Sequence, residues 1–270
     1  MLDCLLHLDD AARKAAYDNT SAVSNSAAQL AEFEARSAAI LQKTAADWDV
    51  PYGPAERQKF DFLPGNNGAA TLVFIHGGYW QMRHKNTFRF IAEGALQHGL
   101  NVALIGYTLA PQATLTQIVL EVRDGIAAVR AHAVQSGGAD RLLLCGWSAG
   151  GHLTAMCLDA PGVAAGLGMS GIYDLGPIAH NYLNHALQLT EAEIAQLSPL
   201  RLTVVDKPFV TAYGTAELPQ LQAQSQAFAA YRQAQAKDVV LAVEGADHFS
   251  ILNDLAIADG ALLQALLQHK

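Results

Sequence analysis

The sequence is poor in cysteine, in charge and in basic segments, and each shortage excludes a class of protein. Its 3 cysteines are an odd number and form no CxxC pair, so free thiols are expected rather than a disulfide framework. Charged residues are only 16% of the chain, and acids outnumber bases to give a net charge of −8. This balance offers no electrostatic surface for nucleic acid or an anionic membrane. No apolar run is long enough to span a bilayer.

The remaining composition is that of a globular protein. Hydrophobic residues make up 51% of the 270 residues, enough for a large buried core. No repeat and no low-complexity linker divides the chain, so we predict a single domain over residues 1–270. The first ten residues lack a basic segment and contain acids, so we expect no signal peptide and a cytoplasmic protein.

Two patterns alternate along most of the chain. Continuous apolar runs, typical of strands buried on both faces, are followed by longer segments of helical periodicity. This alternation predicts an α/β fold with a mainly parallel sheet flanked by helices. The predicted strands are residues 71–75, 101–105, 141–145, 164–169, 209–213 and 239–243, and the predicted helices are residues 87–98, 117–135, 152–158, 218–236 and 251–269.

Two segments lie outside this alternation. Residues 1–50 are rich in Ala, Gln and Glu and predict an N-terminal helical extension, with helix starts near Asp10 and Ser26 and a turn-rich connector at residues 50–54. Residues of about 173–201 show no strand pattern, and we interpret them as a small cap insertion over the site. A plain helical connection is the alternative interpretation.

The clearest chemical motif is Gly146-Trp147-Ser148-Ala149-Gly150, which matches G-x-S-x-G. A predicted strand precedes it and a helix follows, which is the context that this motif requires. The serine lies on a sharp turn, where side chains in place of the glycines would collide with neighbouring backbone. The motif predicts that Ser148 is a nucleophile at the N-terminus of a helix, where negative charge is favoured.

A second motif, HGGYW at residues 76–80, directly follows the first predicted strand of the sheet. Such a loop presents backbone N–H groups to the oxyanion that develops during acyl transfer. We interpret His76 as a structural hydrogen-bonding residue of the loop rather than a base. The predicted oxyanion hole consists of Gly77, Gly78, Tyr79 and Ala149.

The base and the acid should follow the serine along the chain. His248 follows the last predicted strand and precedes the last predicted helix, so we predict that it is the general base. Glu217 follows the preceding strand and is the predicted acid, with Asp174 as the main alternative; Asp247 is expected to point elsewhere. Structural or surface roles suit the other candidate histidines, which are His152, His180, His185 and His269.

Together these motifs resemble the kynurenine formamidase (arylformamidase) branch of the α/β-hydrolases, which carries an HGGxW loop. Similar segments are YTLAP at 107–111, SGIYDL at 170–175 and DHF at 247–249, so the resemblance runs from about residue 58 to the end. It implies an α/β-hydrolase fold and hydrolysis of N-formylkynurenine to kynurenine and formate, with side activity on aryl esters. Trp147 stands where the family usually has His, and Glu217 stands where Asp is common.

We therefore expect a serine hydrolase that cleaves an aryl formamide or a small carboxylic ester through an acyl-enzyme, without a metal or another cofactor. A general carboxylesterase and a non-catalytic ligand-binding protein on the same scaffold are the alternatives. The expected partner is a small molecule, not nucleic acid or a membrane, and a homodimer is compatible with the sequence. The predicted aromatic pocket for a flat substrate consists of Trp80, Trp147, Tyr182 and Phe249.

Overall fold

The computed structural model describes residues 2–232 and 238–270, and an eight-stranded sheet forms its centre. The strands are β1 (Asp47–Pro51), β2 (Lys59–Leu63), β3 (Thr71–Ile75), β4 (Asn101–Ile105), β5 (Leu142–Trp147), β6 (Val163–Met169), β7 (Phe209–Gly214) and β8 (Val239–Val243). Their spatial order is β1-β2-β4-β3-β5-β6-β7-β8. Strands β3 to β8 all run parallel to one another, whereas β2 is antiparallel to both of its neighbours, β1 and β4. The predicted α/β fold with a mainly parallel sheet is confirmed.

The six predicted strands all form, with ends that differ by at most two residues from the predicted ones. Every residue of β3, β4 and β5 is buried. Alternate residues of β3 enter the two hydrophobic clusters that cover opposite faces of the sheet, with Val73 in one and Phe74 in the other. Burial on both faces explains why these strands have continuous apolar sequences rather than alternating ones.

The helices are α1 (Asp10–Ala15), α2 (Asn19–Ala22), α3 (Ser26–Lys43), α4 (Ala92–Gln97), α5 (Leu115–Gln135), α6 (Ala149–Met156), α7 (Gly176–Ala179), α8 (Asn184–Leu187), α9 (Glu191–Gln196), α10 (Pro219–Arg232), α11 (Ile251–Ala256) and α12 (Ala261–Leu267), with 3₁₀ helices at Lys85–Ile91 and Pro199–Arg201. The single helix predicted over residues 251–269 is wrong, because the chain turns between α11 and α12. The Asp254 carboxylate accepts a hydrogen bond from the Leu262 N–H at 2.7 Å and so holds the start of α12. Residues 233–236 of another predicted helix lie outside the described residues.

The N-terminal extension is helical as predicted, but only as far as Lys43. β1 and β2 were not predicted from the sequence, and the assignment of residues 47–49 to the helical region and of residues 50 and 51 to a connector is wrong. Residues 52–54 do lie in the loop between these two strands. β1 is an edge strand whose residues alternate between exposed and half-buried. In β2, the apolar run is interrupted by Asp61, a fully buried carboxylate that binds Arg89 at 2.8 Å. Neither strand therefore shows the continuous apolar pattern on which the prediction depended.

Residues 173–201 contain α7, α8, α9 and a short 3₁₀ helix. Two predictions stay predictions: that these residues form a cap, and that the whole chain is a single domain. Across residues 2–232 and 238–270, no helix combines the length and apolar character needed to cross a membrane.

Candidate active site

The strand order brings five loops to one edge of the sheet. Strands β3, β5, β6, β7 and β8 are parallel and adjacent in that order, so their carboxyl ends share an edge. The HGGYW loop follows β3 and Ser148 follows β5. Glu217 and His248 lie in the loops after β7 and β8. Ligands bind at the carboxyl ends of the strands in open α/β sheets, and residues far apart in the chain, such as Trp147 and His248, are hydrogen-bonded there.

Ser148 lies on the sharp turn that the G-x-S-x-G motif predicts. Its backbone has φ 57° and ψ −118°, and α6 begins at the next residue. The Ser148 N–H donates to the Met169 carbonyl at 2.8 Å, which ties the turn to the adjacent strand β6. A Cβ atom at Gly150 would lie 1.9 Å from the Ile75 carbonyl oxygen, so only glycine fits at that position. Such backbone strain is held in place by the packing around the turn and is typical of active sites.

The HGGYW loop lies directly against Ser148. A Cβ atom at Gly77 would lie 2.6 Å from the Trp147 carbonyl oxygen and 3.0 Å from Ser148 Cβ. Gly78, Tyr79 and the following Trp80 all have positive φ, at 110°, 49° and 58°. Among the residues that the structure describes, none accepts a hydrogen bond from the backbone N–H of Gly78, Tyr79 or Ala149. Unpaired N–H donors beside a serine are the arrangement that an oxyanion hole requires.

His76 is buried beneath this loop and is not placed as a base. Its Nδ1 lies 2.7 Å from the Gly77 carbonyl oxygen, and its ring stacks on Tyr107 with centroids 4.4 Å apart. Burial lowers the pKa of His76 to about 3, so the ring is neutral near pH 7. These contacts support the interpretation of His76 as a structural residue of the loop.

His248 and Glu217 face each other behind Ser148. His248 Nδ1 lies 3.6 Å from Glu217 Oε2, and both side chains are almost fully buried. This separation exceeds a hydrogen bond, and neither atom has another hydrogen-bonding partner. Catalytic hydrogen bonds are often long in unliganded enzymes and tighten when substrate binds. The arrangement is compatible with the predicted roles of His248 as base and Glu217 as its orienting acid.

Ser170 is a site residue that the sequence analysis did not identify as one. Its hydroxyl donates a short hydrogen bond to Glu217 Oε1, which also accepts from the Gly214 N–H at 3.0 Å. These two donors fix one carboxylate oxygen and leave the other facing His248. The available signal was its position, because Ser170 directly follows β6 at the same edge as the other loops.

The alternative acids have other partners. Asp174 is fully buried and accepts from Arg201 Nη2 at 2.7 Å and from the Leu2 N–H at 2.8 Å. Asp247 accepts from the N–H groups of Phe249 and Ser250, both at 2.8 Å, and so shapes the turn after His248. The structure therefore brings Glu217, and neither aspartate, to the imidazole.

Trp147 connects β5, the strand before Ser148, to the loop that carries His248. Its indole Nε1 donates to the His248 carbonyl at 2.6 Å, and its ring lies 4.9 Å from the imidazole, centroid to centroid. The other predicted aromatic neighbour, Phe249, packs against the same indole at 5.6 Å. Trp147 thus holds the backbone of the histidine loop in addition to forming part of the pocket wall.

A small pocket of about 30 Å³ contains Ser148 and His248. Two predicted pocket residues, Trp147 and Phe249, line it together with Gly78 and Tyr79 of the loop. The sequence analysis missed four further lining residues, which are Asn19, Thr20, Met82 and Arg83.

Trp80 and Tyr182, also predicted for the pocket, do not line it. Trp80 is fully buried edge-on to His152, with centroids 5.0 Å apart, because its positive φ turns the chain back into the core. Tyr182 belongs to a separate surface cleft beside His180 and His185, where the Lys14 ammonium lies 5.4 Å from its ring.

This site provides a serine, an imidazole, a carboxylate and free N–H donors, the groups that nucleophilic acyl transfer needs.

His152, the histidine nearest to Ser148 in the sequence, has its Nε2 2.7 Å from the Leu197 carbonyl oxygen. Nowhere in the described ranges do three His, Cys, Asp or Glu side chains come together as metal ligands would.

Known proteins are similar to this chain in sequence and in fold. The BD-FAE family model matches residues 62–161. Kynurenine formamidase of Danio rerio is 33% identical and that of Salmo salar 32% identical, and each alignment covers 82% of this chain and 80% of the relative. A candidate thioesterase from Silicibacter sp. tm1040 superposes with a TM-score of 0.87 at 23% identity, covering 94% of this chain and 98% of that structure. The chain therefore belongs to the kynurenine formamidase family of the α/β-hydrolase fold and is a serine hydrolase.

Proposed function

We propose that this protein hydrolyses an aryl formamide such as N-formylkynurenine, with Ser148 as the nucleophile that accepts the formyl group. The observation that supports this choice is the small size of the pocket at Ser148, about 30 Å³, which leaves little room for an acyl chain. Formyl is the smallest acyl group, and each added methylene would require the wall residues to move. The aromatic rings of Trp147 and Phe249 lie in the pocket wall and are apolar partners for an aryl leaving group.

The first half of the reaction forms the acyl-enzyme. Ser148 Oγ attacks the formyl carbon while His248 takes its proton, and the carbonyl oxygen becomes an oxyanion. The N–H groups of Gly78, Tyr79 and Ala149 stabilise that charge. The C–N bond then breaks, the imidazolium returns the proton to the leaving arylamine, and Glu217 stabilises the imidazolium throughout.

The second half removes the formyl group. Water attacks the formyl ester of Ser148 as His248 takes a proton from it, and a second oxyanion forms in the same N–H pocket. The C–Oγ bond breaks, His248 returns the proton to Ser148, and formate leaves. No redox partner is needed, because water supplies the only added atoms.

The test is parallel kinetics on N-formylkynurenine and on p-nitrophenyl formate, acetate and butyrate. We expect kcat/KM to be greatest for the formyl substrates and to decline with each added methylene, because one misfitting methylene changes kcat/KM by about 10- to 200-fold in a tight pocket. A protein that prefers butyrate, or that leaves N-formylkynurenine intact, would instead be a general carboxylesterase.

The variant Ser148→Ala tests the chemistry itself. We expect it to lose about 10⁴-fold or more in kcat on every one of these substrates, since removal of the nucleophile disables both half-reactions. Labelling by a fluorophosphonate probe should disappear in the same variant. Equal labelling of wild type and Ser148→Ala would contradict the assignment of the nucleophile.

A further inference from the structure

Arg83 is a cation without a partner in the wall of the active-site pocket. It lines the same small pocket as Ser148 and His248 and is half-buried. Its guanidinium makes no hydrogen bond, ion pair or ring contact to any residue that the structure describes. Arg83 differs in this from every other arginine of the chain, since each of those donates to a carboxylate or a carbonyl: Arg13, Arg36, Arg57, Arg89, Arg123, Arg130, Arg141, Arg201 and Arg232.

Partial burial of an unpaired guanidinium is unfavourable. Burial lowers the pKa of Arg83, and the one carboxylate that acts against this, Glu34, is exposed and forms no ion pair with it. A charge removed from water without a partner costs free energy, so such groups are normally paired. A half-buried guanidinium without an acceptor, in the wall of an active-site pocket, can be stabilised by a ligand that supplies the acceptor.

The position of Arg83 is set by neighbouring structure. Its backbone has a φ of 77°, and its carbonyl accepts a hydrogen bond from Arg57 Nη2 at 2.5 Å. Its side-chain stem crosses the oxyanion loop closely: a Cβ atom at Gly78 would lie 2.8 Å from Arg83 Cγ. These contacts hold the stem of the side chain beside the oxyanion loop, in the wall of the pocket.

We propose that Arg83 is a specificity-determining residue that binds a carboxylate of the substrate. A carboxylate offers two acceptor oxygens that match the planar fork of a guanidinium, which a neutral ester or formanilide lacks. The inference rests on the proposed function for its reaction and narrows the substrate to formamides or esters that carry an acid group, such as the amino-acid carboxylate of N-formylkynurenine.

The experiment compares wild type with Arg83→Gln on two matched pairs of substrates. One pair is N-formylkynurenine and formanilide, and the other is 3-acetoxybenzoate and phenyl acetate. We expect the ratio of kcat/KM for the acid to kcat/KM for the neutral partner to fall about 10- to 100-fold in Arg83→Gln, since a hydrogen-bonded charge contributes on this scale. Arg83→Lys should recover part of the ratio, because it restores charge without the fork.

Arg130→Gln is the matched control, because it removes the same charge from a surface arginine whose partner is Asp140. It should keep the wild-type ratios. Ratios in Arg83→Gln that stay at the wild-type value would overturn the proposal, and so would an equal fall in Arg130→Gln. The ester pair keeps this test separate from the proposed function. Arg83→Gln can leave the ester ratio unchanged although wild type hydrolyses N-formylkynurenine, which contradicts only the role of Arg83. It can also lower the ester ratio although wild type leaves N-formylkynurenine intact, which contradicts only the proposed function.

Discussion

At the scale of single residues, the two candidate acids differ in what they touch. Glu217 and Asp174 are both buried carboxylates that follow strands of the sheet, so chain order alone leaves both possible. Glu217 faces His248 with one oxygen free, whereas the Arg201 side chain donates twice to one oxygen of Asp174 and the Leu2 N–H donates to the other. Only Glu217 is placed to orient an imidazole.

This difference predicts opposite effects of two isosteric substitutions. Glu217→Gln should lower kcat by about 10²- to 10⁴-fold, because the imidazolium loses the negative charge that stabilises it. Asp174→Asn should keep kcat within about threefold but lower the free energy of unfolding by about 2–3 kcal/mol, since it breaks a partly exposed ion pair whose carboxylate is buried.

Steady-state kinetics and urea unfolding of the two variants separate these effects. Each variant serves as the control for the other, because both remove one negative charge from a buried carboxylate. A large loss of kcat in Asp174→Asn, with Glu217→Gln nearly unaffected, would assign the acid to Asp174 instead.

At the scale of elements, the short helix α2 forms part of the pocket although it lies far from the motifs in sequence. Asn19 at its start is 5% exposed and donates through Nδ2 to the Tyr79 hydroxyl at 3.0 Å. That hydroxyl in turn donates to the Tyr17 carbonyl at 2.7 Å. The N-terminal extension thereby closes one side of the pocket and contacts the oxyanion loop.

Shortening Asn19 should therefore widen the pocket. In Asn19→Ala we expect the ratio of kcat/KM for p-nitrophenyl butyrate to that for the formate to rise about tenfold, as the wall gives room for methylenes. The lost hydrogen bond should lower the free energy of unfolding by about 1 kcal/mol. Acyl-chain kinetics and urea unfolding give both values.

Ser21→Ala is the matched control, because Ser21 is exposed on the same helix and its hydroxyl binds only Asp18. It should leave the chain-length preference unchanged. If Asn19→Ala and Ser21→Ala have the same preference, α2 does not limit the acyl group.

Elements also show where sequence patterns succeed and fail. Strands β3 and β4 are predicted to the residue, because burial on both faces makes them continuously apolar. β1 and β2 are missed, because an edge position and the buried ion pairs of Asp61 make their sequences polar. The last helix is predicted as one, although Gly260 stands at the break before α12, where a Cβ atom would lie 1.7 Å from the Asp254 carbonyl oxygen.

At the scale of the whole molecule, two buried histidines couple folding to pH. Burial lowers the pKa of His76 to about 3 and that of His152 to about 4. Below the unfolded value of about 6.5, the unfolded chain binds protons that the folded protein does not. The free energy of unfolding should therefore fall as the pH drops from about 6.5 towards 4, and each histidine adds up to about 1.4 kcal/mol per pH unit.

The variant His152→Gln isolates one of these contributions. Its amide can still donate to the Leu197 carbonyl, but it has no proton to gain, so the dependence of unfolding free energy on pH should become shallower. Urea unfolding at several values between pH 7 and pH 5 measures the slope. His185→Gln, at an exposed histidine, should keep the wild-type slope, and equal slopes in both variants would contradict the prediction.

The sequence by itself determined the parallel strands, the turn at Ser148 and the presence of a histidine after the last strand. Apolar runs and glycines act locally, so their effects can be predicted from neighbouring residues. Only the tertiary structure decided that Glu217 faces His248, that Ser170 holds it, and that Trp80 packs in the core. It also placed Asn19 and Arg83 in the pocket. These outcomes depend on which loops meet at one edge of the sheet, and sequence patterns within each loop carry no information about those distant neighbours.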